Sequence, residues 1–349
     1  VFFNKQMQIS ENKVQMLKGT KIPICSYQCS AFFGMKSSGK TSLINKITHE
    51  FIQQASKTHY ELDKPLINNG PITHYFYLSP SIISDNTLHK QEINNQLNRI
   101  DIELNDENID KICETIYTMR SEIVPILDLQ NEMRQAMKNK QLTALFEALQ
   151  KDRMQVYRFP QIQTFIKTMQ QIETYKLKYP ELCVKETDTT VLNNLKMLYS
   201  LFSSVFDGKL LRIQKIILNF DDSTCSTKFV NFQNSPILKL ITQARHLYIW
   251  SMNIVMHSLS ATFSIFKDQF NVVVLHKGIS KESQLESIFE TTNLETSKFK
   301  KEDFIKLYRT HTGALIDSYD EREKYRYNYL LIFKDPVQML YLNLDKRIK

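Results

Sequence analysis

Residues 34 to 41 read Gly34-Met35-Lys36-Ser37-Ser38-Gly39-Lys40-Thr41, two spaced glycines followed at once by lysine and threonine. Those residue types at that spacing build a phosphate cradle. Gly34 and Gly39 permit backbone conformations that a side chain obstructs. Successive N–H groups then point inward as an anion nest, and a helix beginning at Lys40 turns its positive end toward the same place. From there Lys40 would reach the β- and γ-phosphates of ATP, and Thr41 would ligate Mg2+. Met35, Lys36, Ser37, Ser38 and Ser42 complete the loop that such a ligand would touch. The competing reading is a chance match in an ordinary loop.

Three further groups could complete that chemistry. Asp221-Asp222 directly follows the apolar run 213–220. Magnesium carried by a triphosphate takes a nearby carboxylate, usually through water, and a strand end beside the phosphate-loop strand would supply one. Asp221 is assigned to the metal and Asp222 to polarising the attacking water. Two acids that merely start a turn are the plainer alternative. Arg245-His246 lies between a helix and a buried strand. An arginine from a neighbouring subunit can stabilise the charge of phosphoryl transfer by roughly 10³–10⁵ in rate, whereas on spacing alone Arg245 reads as a helix cap. His257-Ser258 closes the next strand and could sense the γ-phosphate or orient water; His257 and His276 read equally well as satisfied core histidines. No guanine-recognition signature, protein-kinase set or Ser-His-Asp arrangement is found.

The elements that must position these residues follow from the hydrophobic spacing. Residues 21–33 read as a β segment and 40–56 as a helix with Leu43, Ile44, Ile47 and Phe51 on one face, the order that a phosphate loop requires. Strands are expected at 72–78, 99–104, 213–220, 247–257, 270–276, 327–333 and 339–343, the last two around Asp335-Pro336. Helices are expected at 84–98, 106–119, 235–246, 281–290 and 301–309. The 213–220 run, apolar almost throughout, reads as a central parallel strand covered on both faces. Residues 121–206 are glycine-free and rich in Gln, Lys, Met and Leu; they read as helices at 126–152, 161–178 and 189–206, broken at Pro160 and Pro180. The fold class is thus α/β: a P-loop NTPase with a mainly parallel central sheet flanked by helices, plus a helical insertion. Residues 1–120 and 207–349 form the two parts of the core, and 121–206 the insertion, serving as a packed subdomain or as a docking or DNA-contacting module.

Composition narrows the classes further. The chain has 349 residues, with 42% hydrophobic and 23% charged, enough for a sizeable core. Only 7 glycines and 9 prolines argue against a loop-rich all-β chain. A net charge of +8 suits a polyanion, though a merely basic protein would look the same. No dense basic tail is present, so a DNA contact would have to be assembled in space. Five cysteines, none in CxxC spacing, speak for reduced thiols rather than a zinc or disulfide framework. The first residues do not read as a secretory signal, and 247–266, the most apolar stretch, carries too many polar groups to span a membrane. Beginning at Val1, the sequence reads as a piece of a longer chain.

The segments 32–44 (FFGMKSSGKTSLI), 75–81 (YFYLSPS), 216–223 (IILNFDDS) and 241–258 (ITQARHLYIWSMNIVMHS) together resemble the FtsK–HerA superfamily of DNA-pumping ATPases. They are most similar to the genome-packaging ATPases of poxviruses, other large DNA viruses, virophages and polinton-type elements. The resemblance covers 21–119 and 210–290, and does not cover the helical insertion. It implies that Asp221 and Asp222 end the metal-acid strand and that Arg245 acts in trans or as a sensor. It also implies a ring of subunits with ATP between them, sequence-independent contact with double-stranded DNA, possible capsid-protein partners, and an intracellular or virion-associated setting in host cytoplasm or nucleus. Where that family usually carries a glutamine after the next strand, this chain has His257-Ser258, which puts its γ-phosphate sensor, and with it full hydrolytic rate, in doubt.

Overall fold

The computed structural model describes residues 15–16, 23–24, 28–57, 72–82, 98–212, 215–229, 235–257, 269–297, 299–314, 316, 318, 324–325, 327–334 and 337–343. Contacts divide the chain into two compact units: one drawn from the described residues of Val1–Lys57, Ile72–Tyr117 and Lys215–Lys349, the other from those of Thr118–Gln214.

The first unit is built on an eight-stranded sheet. A two-residue pair, β1 (Gln15–Met16) and β2 (Pro23–Ile24), precedes it. The sheet strands are β3 (Gln28–Phe33), β4 (Ile72–Ser79), β5 (Asn98–Glu103), β8 (Lys215–Phe220), β9 (Ile249–Met256), β10 (Val272–His276), β11 (Asn328–Lys334) and β12 (Val337–Asn343). Their order across the sheet is β12-β11-β10-β3-β9-β8-β4-β5. From β10 to β5 every neighbouring pair is parallel, and β11 and β12 add an antiparallel edge. The α/β class read from the sequence is the one observed. One expectation is corrected: β8, whose end carries Asp221 and Asp222, does not lie beside the phosphate-loop strand β3, because β9 runs between them. Nothing in the residue pattern encodes strand order, which is settled by how the crossovers pack.

The helices of this unit are α1 (Lys40–Lys57), the start of α2 (Asp106–Met137), α6 (Pro236–Gln243), α7 (Glu282–Thr291) and α8 (Lys301–His311). Ile109, Cys113 and Ile116 of α2, Ile237, Leu240 and Ile241 of α6, and Leu285, Ile288 and Phe289 of α7 join one apolar cluster. So do Cys29, Ala31 and Phe33 of β3, Ile216, Leu218 and Phe220 of β8, and Met252, Ile254 and Met256 of β9. Side chains alternate along a strand, so the residues between these face the other way, toward α1. Among apolar Phe32, Ile217 and Val255, that face carries an equally buried polar cluster. Asn219 donates to Thr48 (3.0 Å) and to the Tyr75 hydroxyl (2.9 Å), and accepts from Asn253 (2.7 Å). Tyr75 donates to Asn45 (3.3 Å), Asn253 also reaches Ser251 (3.2 Å), and Gln28 donates to Ser30 (2.6 Å). Leu43, Ile44 and Ile47 of α1 supply the apolar packing there, as their spacing predicts.

Several boundaries differ from the sequence reading. The helix expected at 106–119 continues through Pro125 to Met137, and the one expected at 126–152 is split, α3 (Lys140–Lys151) starting anew after Asn139 caps it. The 189–206 helix stops sooner, as α5 (Thr189–Ser200). Arg245 and His246 lie past the end of α6, in the turn before β9. The helix expected at 84–98, the Phe51 side chain, Ser258 and Asp335-Pro336 fall outside the described residues, save Asn98, which opens β5.

The second unit comprises the remainder of α2, then α3, α4 (Pro160–Lys178), α5 and a short antiparallel pair, β6 (Cys183–Lys185) with β7 (Lys209–Leu211), which the sequence reading lacked. Arg134 grips Glu186 with two hydrogen bonds, and Gln130 pairs with both backbone groups of Leu211 at 2.8 Å. These contacts explain why a three-residue strand pair forms in a helical segment.

Replacing Asn219 with leucine keeps the branched shape but leaves the Thr48, Tyr75 and Asn253 groups short of a partner. Each buried polar group so stranded costs about 1–3 kcal/mol. Urea unfolding of Asn219→Leu should show a lower midpoint, corresponding to a loss of about 1–3 kcal/mol or more of unfolding free energy; an unchanged midpoint would mean that water replaces the network.

Candidate functional site

The phosphate-loop residues, Asp221, Asp222 and His257 converge at the carboxyl ends of β3, β8 and β9; His276 ends β10, and Arg245 and His246 lie at the opposite end of β9. The loop after β3 is braced from the side by the end of β10. The Met35 N–H donates to the Lys277 carbonyl (2.9 Å). A Cβ on Gly34 would stand 2.6 Å from the Cβ of His276 and 2.9 Å from the Lys277 oxygen, and one on Gly278 would stand 2.5 Å from the Cβ of Met35. The two backbone segments thus touch where only glycine fits. Three of the chain's 7 glycines, Gly34, Gly39 and Gly278, sit here with positive φ.

His276 is wholly buried. Its Nδ1 lies 2.9 Å from the Ser38 carbonyl, which can only accept, so Nδ1 carries the proton. Burial, with the nearby Lys40 charge, pulls its pKa down to about 3, so the ring is neutral. The ring stacks on Tyr329 with centroids 5.4 Å apart, and the Tyr308 hydroxyl donates to the His276 carbonyl (2.7 Å). His276 is therefore a strut for the loop rather than a group facing a ligand.

Lys40 opens α1, whose first N–H groups have no intrahelical acceptors. Its Nζ donates to the Gly34 and Met35 carbonyls, each at 2.7 Å, and lies 3.3 Å from His257 Nδ1. Burial lowers its pKa to about 8, against the pull of Asp221 and Asp222. The ammonium thus rests on loop carbonyls that an incoming phosphate would replace with a stronger, charged acceptor. Met35, Lys36 and Ser37 are exposed, Gly34 and Ser38 buried.

Thr41 Oγ1 donates to Asp221 Oδ2 at 2.9 Å, joining the start of α1 to the end of β8. Tyr77 donates to the same oxygen at 2.6 Å. The Asp221 N–H reaches across to the Leu78 carbonyl (2.8 Å). Burial raises the Asp221 pKa, while the Tyr77 and Thr41 hydrogen bonds and the Lys40 charge oppose the rise. The pair of oxygens from Thr41 and Asp221 suits Mg2+, which favours one or two protein oxygens with waters and phosphates filling the rest. Among the described residues, no group of three or more His, Cys, Asp or Glu could hold a metal.

Asp222 adopts a left-handed backbone (φ 51), uncommon outside glycine and asparagine. The conformation is held by Ser223, whose hydroxyl donates to the Val255 carbonyl (2.7 Å). It swings Asp222 toward β9, where Oδ1 lies 3.0 Å from His257 Nε2 and accepts from Thr224 (3.0 Å). His257 thereby touches both Asp222 and Lys40. Its Nδ1 also lies 3.3 Å from the Gly34 carbonyl, one of the two acceptors that Lys40 uses. The loop beyond is tied to α2, Ser226 donating to Asp106 at 2.6 Å and Thr227 to its other oxygen.

Arg245 is exposed, in the turn that leads into β9, whereas Lys40 and Asp222 lie at the strand's other end. The chain does not bring it to the site. Sequence reasoning missed Tyr77, Lys277 and Gly278. The scarcity of glycine was a usable signal for Gly278, two residues past an apolar strand; nothing local marks Tyr77 among 16 tyrosines.

No family model matches the chain, and no curated protein matches it. Among solved structures it is similar to the genome packaging NTPase B204 from Sulfolobus turreted icosahedral virus 2 in complex with AMPPCP, at 9% identity and TM-score 0.34 over 90% of this chain and 96% of that one. The same protein in complex with ATP-gammaS aligns at 8% identity, TM-score 0.34 and the same coverage. B204, the DNA-packaging ATPase from Sulfolobus Turreted Icosahedral Virus, aligns at 10% identity and TM-score 0.36 over 90% of this chain and 97% of that one. A likeness this loose carries neither an activity nor a partner to the present chain. Among the described residues no helix is long and apolar enough to cross a membrane, and Cys113, Cys183 and Cys225 are free.

Two measurements test this geometry. Gly208 and Gly278 both have positive φ, but a Cβ on Gly208 would meet nothing closer than 3.8 Å. Alanine at either should lower the unfolding midpoint, and only Gly278→Ala should weaken triphosphate binding, by tenfold or more. A phosphate held by Lys40 would need its ammonium form, so ATP affinity in EDTA should be level below about pH 7. It should then fall as pH rises through about 8. Affinity that holds level to pH 10 would contradict the environment assigned to Lys40.

Proposed function

We propose that this chain is a magnesium-dependent ATP hydrolase that drives double-stranded DNA, of the kind that packages a viral or transposon-like genome into a capsid. The observation that carries the ATPase reading is the hydrogen bond between Thr41 and Asp221, 180 positions apart, with Lys40 close enough to both Asp221 and Asp222 to feel their charge.

In this reading the loop N–H groups and Lys40 hold the β- and γ-phosphates. Thr41 and Asp221 hold Mg2+, which when bound would neutralise charge on those phosphates. Asp222 accepts a hydrogen bond from the attacking water and takes its proton as the bond to the γ-phosphorus forms and the bond from that phosphorus to the bridging oxygen breaks, releasing ADP. His257, through its Nε2 proton, orients the Asp222 carboxylate, and through Nδ1 it registers whether Lys40 has turned to a phosphate. It thus stands in for the glutamine usual in the family. Arg245 serves a neighbouring subunit: its exposure, at the end of β9 remote from Lys40, supports a role in trans.

The DNA assignment rests on the resemblance of 32–44, 75–81, 216–223 and 241–258 to FtsK–HerA packaging ATPases, and on the charge of +8. Closed head-to-tail rings place each nucleotide at a subunit boundary, and contact through phosphates makes the grip on duplex sequence-independent. A second reading, a nucleotide-binding scaffold that does not turn over, is favoured by the engagement of Asp222 with His257 and Thr224.

ATP hydrolysis measured with and without duplex DNA separates these readings. Lys40→Ala should abolish turnover; undiminished activity in that variant ends the assignment. Asp222→Asn should bind ATP normally and lose about 10²–10⁴ in rate, the usual worth of a general base. Stimulation by duplex that fades with added salt supports translocation, and its absence leaves a hydrolase without that partner. ATP binding with no hydrolysis under either condition supports the scaffold. For Arg245, mixing inactive Arg245→Ala with inactive Lys40→Ala should restore part of the activity, because each supplies what its neighbour lacks. No recovery would remove the trans role.

A further inference from the structure

Asp221 is presented to its surroundings in an asymmetric way. Thr41 and Tyr77 both donate to Oδ2, at 2.9 and 2.6 Å, and Oδ1 takes neither bond. Tyr77 is wholly buried on β4. Parallel pairing sets it opposite Asn219 of β8, so its side chain lies on the face that Asp221, two residues further on, also uses. Its ring packs edge-on against Tyr75, with centroids 6.2 Å apart and planes at 82°. The phenol is thus a fixed donor delivered from a neighbouring strand, whereas Thr41 stands at the start of a helix and is the hydroxyl that a metal would claim.

We infer that Tyr77 is the positioning residue that holds Asp221 in the orientation needed to receive Mg2+, an inference that rests on reading the site as a magnesium–triphosphate site. A carboxylate turns about two single bonds, and only a fixed hydrogen bond decides which oxygen faces the ligand. Once the Thr41 hydroxyl leaves Oδ2 for the metal, Tyr77 is the side-chain donor that remains on that oxygen. With Oδ2 fixed, Oδ1 is the oxygen offered to a metal-bound water. Partners that orient a metal-binding carboxylate typically govern metal affinity by about 10–100-fold. Tyr77 itself touches neither phosphate nor metal in this arrangement.

The strand supplies its own comparison. Tyr75, two residues earlier on the same face, is equally buried, and its hydroxyl donates to Asn45 and accepts from Asn219. Loss of that hydroxyl is a loss to the fold alone.

The test uses the full chain and two near-isosteric variants, Tyr77→Phe and Tyr75→Phe, with thermal unfolding as the measure of folding. Binding of a fluorescent, non-hydrolysable ATP analogue is titrated with Mg2+ and repeated in EDTA, so the readout is independent of turnover. Tyr77→Phe should raise the Mg2+ midpoint about 10–100-fold and leave the affinity in EDTA unchanged. Tyr75→Phe should lower the unfolding temperature and leave the Mg2+ midpoint within about twofold, the scatter between variants that share no partners. In an Asp221→Asn background, Tyr77→Phe should shift the midpoint no further, since both act through the same carboxylate. An unmoved midpoint in Tyr77→Phe, an equal shift in Tyr75→Phe, or a full additional shift in the Asp221→Asn background overturns the inference while leaving the ATPase reading intact. A parent chain that binds the analogue no better with Mg2+ than in EDTA overturns both. Should Tyr77→Phe not fold, Tyr77→Met provides the second variant: its flexible side chain fills the strand position without a donor for Oδ2, and the same midpoint shift is expected.

Discussion

A hydrogen bond of 2.9 Å from Thr41 to Asp221, 180 positions apart, joins the beginning of the first core helix to the end of β8, the fourth strand of the sheet in chain order. Its two ends belong to β3 and β8, which are not neighbours. β9 separates them, and the contact forms because α1 packs over the sheet face shared by β8, β9 and β4. Placing α1 is therefore the constraint from which the site follows. If the helix slid by one turn, about 5.4 Å, Lys40 and Thr41 would leave both acids.

That constraint gives a reason for the polar face. A parallel sheet covered on both sides normally fills both with aliphatic side chains. Here one face does so, and the other carries Ser30, Asn219, Ser251, Asn253 and Tyr75. Hydrogen bonds are directional where apolar contacts are not, so Asn219 to Thr48 and Tyr75 to Asn45 fix the register of α1 in a way that leucines would not. The arrangement is costly if incomplete, since each unmet buried group is destabilising by about 1–3 kcal/mol.

The three charged groups at the centre are matched to one another. Burial pushes Lys40 toward its neutral form and Asp221 toward its own, while their mutual attraction opposes both shifts. The two histidines differ in kind. His276 is buried, neutral and committed to the Ser38 carbonyl, whereas His257 is half-exposed and reaches Asp222 and Lys40 at once. The backbone strain at Asp222 is what makes the second contact geometrically available.

Much of this was legible before any coordinates. The phosphate loop, its strand and helix, and the acid pair after an apolar strand all rest on local rules: glycine tolerates the bend, spacing of three and four makes a helical face, and an apolar run ends where charge begins. The helix boundaries were less legible because Pro125 sits within a helix that tertiary packing sustains, and Asn139 ends one helical run and caps the next. Sequence by itself determined the chemistry that residues 34–41 and 221–222 can perform. The strand order, the brace from Gly278 and Lys277, the link made by His257 and the place of Tyr77 were decided by tertiary structure alone. The physical reason is that each is a contact between residues far apart in the chain, and composition and periodicity record only what neighbours along the backbone require.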